Sequence, residues 1–439
     1  MDHEVSKGDD ILFEPLIHTG RGFYVIVAIL LAVIGVGAYG YLRQLIHGLG
    51  VTGLNIPVFM GIYICNAIFF IAISYGGTLT SAILRIVNAG WRTPITRAAE
   101  VITVCALLIG SLNILIDMGR PERTLNLILH ARLQSPILWD FIAINLYLLC
   151  SMIYLSLPLI PDAAILRDKL PTPGWRRQLY AWLSLGWTGT KAQKRRLEIG
   201  ISVMAILMVP VAISVHTVLA WMFGMTTQPM WHSTILGPYF VIGAIYSGIA
   251  MLIIAMAILR RVAHLEDYLK PIHFNNLGLL LITMTLAWLY FTMAEYLTTF
   301  YGNEPAHMAV FYAKWNGEFA PFFWVQVITC FVIPFFILAF RRTRTIVGTV
   351  IASVSVSIGM WLERYLIVVP TLTYPRLPDG WGIYRPTWVE WALMAGCAAG
   401  LVLMFVTFTK LFPIISIWEV REEREKEAIQ RRIEAEGAV

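Results

Sequence analysis

The chain has 439 residues, 58% of them hydrophobic and only 14% charged, with a formal net charge of +6 at pH 7 and a mean hydropathy of +0.70. Such a composition excludes a soluble globule and describes a polytopic membrane protein with an all-α body. Nothing in the charge pattern asks for a nucleic-acid partner.

In chain order, residues 1–21 form a polar tail in which acidic Asp2, Glu4, Asp9 and Asp10 precede Pro15. A secretory leader would instead open on basic residues, so no cleaved signal peptide is expected. A hydrocarbon core of about 30 Å needs about 20 apolar residues in a helix. Ten such runs follow, near 22–44, 56–86, 97–117, 137–161, 197–222, 235–261, 274–300, 321–340, 344–369 and 387–413. They lack the period-2 alternation of a membrane barrel and are too long for its strands, so they predict transmembrane helices. After Pro413 the chain turns to Glu419-Val420-Arg421-Glu422-Glu423-Arg424-Glu425-Lys426, a charge-alternating stretch that reads as a solvated helix.

Lysine and arginine orient the bundle, because cytoplasmic loops retain positive charge. The two tails and the even-numbered loops hold 25 of the 33 basic residues, with Lys191-Ala192-Gln193-Lys194-Arg195-Arg196 as the densest run. The expected topology is a multi-pass protein of the cytoplasmic (inner) membrane with both termini in the cytoplasm.

A weak repeat divides the chain further. The second run closes on Ala82-Ile83-Leu84-Arg85 and the sixth, in the same orientation, on Ala257-Ile258-Leu259-Arg260. This predicts two parallel four-helix bundles, helices two to five and six to nine, flanked by helices one and ten. The resulting units are a cytoplasmic tail (1–21), helix one with the first bundle (22–222), the second bundle (223–369), an outer loop with helix ten (370–413) and a charged cytoplasmic tail (414–439).

Ionisable groups at membrane depth are costly unless paired, hydrated or protonated, and so mark functional sites. Asp117-Met118-Gly119-Arg120-Pro121 and Ser135-Pro136-Ile137-Leu138-Trp139-Asp140 set two carboxylates at the facing ends of helices three and four. Asn113 and Asp117, four apart, share a helical face. Asn145 near the start of helix four, and His216 and Trp221 near the outer end of helix five, complete a candidate outer cavity in the first bundle. For Asp117 an interfacial cap or a salt bridge to Arg120 is the structural alternative. Towards the inner side Tyr75, Thr78, Ser81 and Arg85 on helix two, Glu100 on helix three and Tyr147 on helix four form a candidate proton path; for each, ordinary helix–helix hydrogen bonding is the alternative. In the second bundle Glu295, Glu363 and Arg364 are intramembrane; Glu363 beside Arg364 reads as charge-compensated, whereas Glu295 has no sequence-adjacent partner.

The five cysteines, Cys65, Cys105, Cys150, Cys330 and Cys397, fall singly in apolar runs, and only His216 of the histidines sits clearly within a helix. No haem, iron–sulfur cluster or metal is therefore expected on this chain. Electrons must come from or pass to a partner.

Longer motifs carry a resemblance. The runs Ser74 to Arg85 and Trp91 to Glu100, the Gly119-Arg120-Pro121 and Trp139-Asp140 signatures, Ser214-Val215-His216, Trp231-His232-Ser233-Thr234, Pro238-Tyr239-Phe240, Ala294-Glu295-Tyr296-Leu297, Tyr301-Gly302-Asn303-Glu304-Pro305 and Trp361-Leu362-Glu363-Arg364-Tyr365 resemble the ten-helix branch of the NrfD/PsrC family across nearly the whole chain. That branch includes the membrane subunits of alternative complex III and of sulfur-metabolism and menaquinone-reducing complexes. The resemblance implies an outer-face quinone pocket in the first bundle, menaquinone as its substrate, and an extracytoplasmic ferredoxin-like iron–sulfur subunit docked above it. Further partners it implies are c-type cytochrome or molybdopterin-type subunits and a second NrfD-like subunit. By motif, Asp140 falls on the acid that helps bind quinone. Asp117 stands where alternative complex III has His, and Tyr75-Gly76 where the family usually has His-Ala, which puts a proton route through that His in doubt.

The expected function is a quinone-binding membrane subunit of a respiratory electron-transfer complex, possible coupling to proton translocation included. Asp117, Asp140 and His216 are the candidates to exchange the two protons that accompany each two-electron step. A secondary transporter, or a membrane anchor without a working quinone site, are the competing classes.

Overall fold

A computed structural model describes residues 7–17, 19–170, 174–376 and 381–436. Ten helices are long and apolar enough to cross a membrane: α1 (Arg21–His47), α2 (Ile62–Ile86), α3 (Thr93–Asp117), α4 (Pro136–Lys169), α5 (Lys191–Gly224), α6 (Leu236–Val262), α7 (Pro271–Gly302), α8 (Ala320–Ala339), α9 (Ile346–Thr373) and α10 (Trp388–Leu411). Shorter helices cover Lys7–Ile17, Thr124–Leu129, Gly174–Leu183, Pro305–Trp315 and Ile417–Glu436, and no strand occurs among the described residues. The protein is an all-α polytopic membrane protein.

The helices overrun the apolar stretches where their ends are polar. The fourth run was expected to end at 161, yet α4 continues to Lys169 and carries Asp162, Arg167 and Lys169 on its last turns. The basic run Lys191–Arg196, expected in a loop, is the opening of α5. There the Thr190 side chain accepts from the Gln193 amide and the Gln193 side chain answers at the Thr190 backbone, satisfying donors that a helix start leaves open. Composition follows the hydrocarbon core, whereas caps decide where a helix ends.

Within α8, residues Ile328–Val332 widen into a π turn. Pro334 lacks the N–H that would bond the Cys330 carbonyl, and the Tyr246 hydroxyl donates to that oxygen instead at 2.6 Å.

α2 is the central helix, packed against α3, α5, α6 and α9. α3 also packs on α4 and α4 on α5; α6 packs on α5, α7 and α9, and α8 on α9. α1 and α10 form a pair of their own against α3. Small residues permit the closest crossings: a Cβ on Gly76 of α2 would fall 2.2 Å from the Gly248 Cα of α6, and one on Gly37 of α1 would fall 3.0 Å from the Ala392 carbonyl oxygen of α10. Without a hydrophobic drive between helices in lipid, such approach supplies the packing energy.

Among the described residues the ten crossings return the stretches that flank α1 and α10 to one face, where Lys410 donates to the Pro15 carbonyl at 2.8 Å. We call this the tail face, and the opposite one, which carries Asp117 and Asp140, the site face. The charged tail departs from the solvated helix expected of it. Asp162, fully buried, accepts from the Ile417 and Trp418 amides at 3.2 and 3.0 Å. It also pairs with buried Arg97, which donates to the Pro158 and Pro413 carbonyls and to the Ser416 hydroxyl. Glu419, 7% exposed, pairs with Arg85 at 3.0 Å. The first turn of the Ile417–Glu436 helix is thus built into the bundle, and the charge alternation beyond it masks this in the sequence.

Candidate functional site

At the site face the predicted residues separate into inward and outward sets. On α3, Asn113 is buried and its Nδ2 donates to the Ile109 carbonyl at 2.8 Å, leaving Oδ1 with no hydrogen-bond partner. Asp117, the last residue of α3, also has a buried Oδ1 without a partner, and among the described residues it forms no ion pair with Arg120. The carboxylate within electrostatic reach of it is Glu390 of α10. Glu390 is fully buried and accepts from the Gly53 and Thr387 amides at 2.7 and 2.8 Å and from the Tyr384 hydroxyl. Gln44 of α1 donates to the Ile116 carbonyl at 2.8 Å and accepts from Tyr63. Asp117 therefore faces the seam where α1 and α10 meet α3.

Asp140 lies in the opening turns of α4, 6% exposed, with a buried Oδ1 that has no partner. Ile144, one turn below it, packs in the same apolar cluster as Tyr75 of α2 and Val215, the neighbour of His216 on α5. The His216 ring is fully buried and meets the Tyr75 ring edge-on, centroids 4.4 Å apart. Both ring nitrogens and the Tyr75 hydroxyl lack partners among the described residues. Buried polar atoms are nearly always bonded, yet Asn113, Asp117, Asp140, Tyr75 and His216 each carry a buried polar atom without a partner among the described residues. Asn145 and Trp221 are not gathered with them. Asn145 stands about 140° around α4 from Asp140, exposed, and donates to the Phe141 carbonyl at 2.8 Å; Trp221 is 51% exposed.

Deeper, the hydroxyls and carboxylates of the candidate proton path lie along a file of two hydrogen-bonded groups, one turn apart, because their spacings repeat on three helices. Thr78, Ser81 and Arg85 share a face of α2, Glu100 and Thr103 a face of α3, and Tyr147, Ser151 and Tyr154 a face of α4. Tyr147 donates to Thr78 at 3.0 Å and Thr78 to Thr103 at 3.1 Å. One turn lower Ser81 donates to Glu100 at 2.7 Å and meets the Tyr154 hydroxyl at 3.2 Å. Arg85 and Glu419 close the file at the tail face.

In the second half, Glu295 of α7 accepts from Ser233 and lies near Lys314 of the Pro305–Trp315 helix. Burial pushes the Lys314 amine down to about 8, against the pull of Glu295. With Tyr239, Tyr296, Gln326 and Glu363 they line a cavity of about 30 Å³, enough for a water or two but not a quinone ring. Glu363 and Arg364 are paired, as their adjacency predicts, at 3.2 Å. Trp288 donates to the other Glu363 oxygen, and the Arg364 guanidinium lies over the Phe240 ring at 4.9 Å.

The family profile described as "Polysulphide reductase, NrfD" matches residues 50–376, well over half of the chain. The chain belongs to the NrfD polysulphide reductase family. Among NrfD-like relatives it is 27% identical over 419 residues to a putative membrane subunit of the dimethyl sulfoxide reductase of Halobacterium salinarum, covering 90% of this chain and 92% of that protein. It is 25% identical to the Hdr-like menaquinol oxidoreductase integral membrane subunit of Archaeoglobus fulgidus (91% and 96% covered). To the integral membrane subunit of the menaquinone reductase of Nitratidesulfovibrio vulgaris it is 23% identical (89% and 92% covered).

In this NrfD-family chain several residues of the site escaped the sequence. Thr103 and Tyr154 continue the file at three and seven residues beyond Glu100 and Tyr147, a helical spacing that was there to be read. Glu390, Lys314, Ser233 and Glu419 gave no such signal, because each reaches its partner from another element, at no spacing a helical pattern predicts.

Proposed function

We propose that this chain is the quinone-binding membrane subunit of a multi-subunit respiratory oxidoreductase, with the quinone ring received at the site face of the α2–α5 bundle. The observation that supports this reading is the set of unpartnered buried polar atoms on His216 and Tyr75, whose rings meet, and on Asp140, one turn above Ile144 of the same apolar cluster. A quinone carries two carbonyl oxygens on an apolar ring and tail, and exchanges two protons with each electron pair. Asp140 and His216 supply proton-exchanging groups, Asn113 a hydrogen-bonding one, and the surrounding helices an apolar wall. The names of the relatives favour menaquinone.

Tyr75 meets the His216 ring and shares an apolar cluster with Tyr147, which supports a proton route from the site face by way of the Tyr147–Thr78–Thr103 hydroxyls, Ser81, Glu100 and Arg85 to the tail face, with the gaps between these groups bridged by water. Glu295 and Glu363, which line the small polar cavity of the α6–α9 bundle, and Arg364, paired with Glu363, would form a parallel polar route. With its own cysteines buried and unpaired among the described residues, the chain exchanges electrons with an iron–sulfur subunit docked on the site face, which we assign to the extracytoplasmic side; the tail face is then cytoplasmic.

Asp140→Asn keeps size and hydrogen bonding but removes the exchangeable acid. The purified complex should assemble normally while quinone-dependent electron transfer falls by about 10²-fold or more. Unchanged turnover in that variant sinks the assignment, and a chain that purifies without redox partners and accumulates solute in vesicles points to a transporter.

A further inference from the structure

We propose that His232, Glu304 and His307 form a binding site for a zinc-class divalent cation at the site face of α6–α9. The sequence led to the opposite expectation, no metal on this chain, because the cysteines fall singly and only His216 of the histidines sits clearly within a helix. The fold supplies the missing proximity. His232 lies in the segment leading into α6, whereas Glu304 caps the Pro305–Trp315 helix that follows α7 and His307 occupies its first turn, so Glu304 and His307 face the same way three residues apart. One ligand atom from each residue lies within 4.8 Å of the other two.

Three further details fit a cation. The His307 Nε2 is buried and has no hydrogen-bond partner, although its ring stands beside another imidazole, centroids 4.6 Å apart and planes 56° apart. The two rings thus bring nitrogen lone pairs to one place without bonding each other. The Glu304 carboxylate divides its oxygens: Oε1 is 3.5 Å from the Arg376 guanidinium and Oε2 is 3.9 Å from the His307 Nε2. Arg376 holds the carboxylate from behind, as outer partners of metal ligands do, and leaves Oε2 directed at the imidazoles. Finally, two nitrogens and one oxygen with an open side match the three-ligand zinc sites that keep a fourth position for water. Imidazole ligands also select against magnesium and calcium, which prefer all-oxygen shells. Bond lengths of about 2.0–2.2 Å require the side chains to close by roughly an ångström, a rotamer adjustment for exposed His232 and half-exposed Glu304.

The site would clamp more than itself. Ser233, next to His232, donates to Glu295 at the small polar cavity, and Trp231 donates to the Ile367 carbonyl at 2.8 Å. A cation on His232 therefore ties the Pro305–Trp315 helix to the segment that closes this cavity. The inference does not depend on the quinone reading, since its test reads metal rather than turnover.

The experiment uses the full chain in detergent, stripped with a chelator, loaded with Zn(II) and desalted, with retained zinc measured by elemental analysis. Co(II) replaces zinc for the visible spectrum. We expect one retained zinc per chain, a tetrahedral Co(II) spectrum and a higher melting temperature with zinc. His307→Ala and Glu304→Gln should lower the affinity at least tenfold, whereas His264→Ala, on the tail side, should retain it. Glu304 is half-exposed, so Glu304→Gln should fold even if His307→Ala does not. Failure of the native chain to retain zinc, or equal retention by Glu304→Gln, overturns the proposal.

Discussion

At the residue scale the proposed site combines buried groups whose polar atoms lack partners among the described residues. Tyr75→Phe tests the link between the His216 ring and the hydroxyl file: it keeps the ring packing and deletes one oxygen. If that oxygen relays protons, quinone turnover in the assembled complex should fall towards about 10²-fold, with the melting temperature unchanged; full turnover removes Tyr75 from the route. Lys314 offers a test by pH. Its folded value of about 8 lies below the ordinary 10.5 of a lysine, so between these values the unfolded chain binds more protons than the native one and stability rises with pH. Below about 8 the buried ammonium carries its full cost. The difference in melting temperature between the native protein and Lys314→Met should therefore vary from pH 8 to 10.5 and be flat below; a pH-independent difference refutes it. Of these residues, Asp140 and His216 were legible as polar letters in apolar runs. Lys314 was not, since a lysine in a loop looks like a surface charge until a helix covers it.

At the element scale, α2 shows why the middle of the bundle is intolerant. Its Ser, Thr and Gly residues read in sequence as a weakly polar helix, and their use is to let α3 and α6 approach while hydroxyls bond across. Gly76→Leu would drive a side chain into the Gly248 backbone, an overpacking that costs about 1–3 kcal/mol or more. Gly90→Leu, where a Cβ meets nothing within 4 Å, should leave the melting temperature within a degree or so; equal effects of the two variants exclude a tight α2–α6 crossing. The overrun of α4 past 161 matters in the same way. It places Asp162 where Arg97 and the two amides of the tail helix meet it. Arg97→Met strands that carboxylate, and breaking a buried pair costs about 3–5 kcal/mol, which should appear as loss of monodisperse protein in detergent. The neutral double variant, Asp162→Asn with Arg97→Gln, should recover part of that loss.

At the scale of the whole molecule, ten crossings among the described residues bring Pro15 and Lys410 to one face, and the tail helix is a structural part rather than an appendage. Truncation after Pro413 removes the partners of Arg85, Arg97 and Asp162. With unmet buried polar groups at about 1–3 kcal/mol each, the shortened chain should melt earlier; an unchanged melting temperature would return the tail to the solvated role its charges suggest. Single cysteines near either end should be labelled from the same side of the membrane. The sequence alone determined the class, the ten spans and the carboxylates worth watching, because hydropathy over 20 residues is a local property that lipid reads one segment at a time. Tertiary structure decided which polar residues meet. Asp117 lies within electrostatic reach of Glu390 on α10, the Tyr75 and His216 rings meet, Asn145 and Trp221 are exposed, and His232 finds His307. Those outcomes depend on helix rotation and on contacts between segments far apart in the chain, which no local pattern encodes.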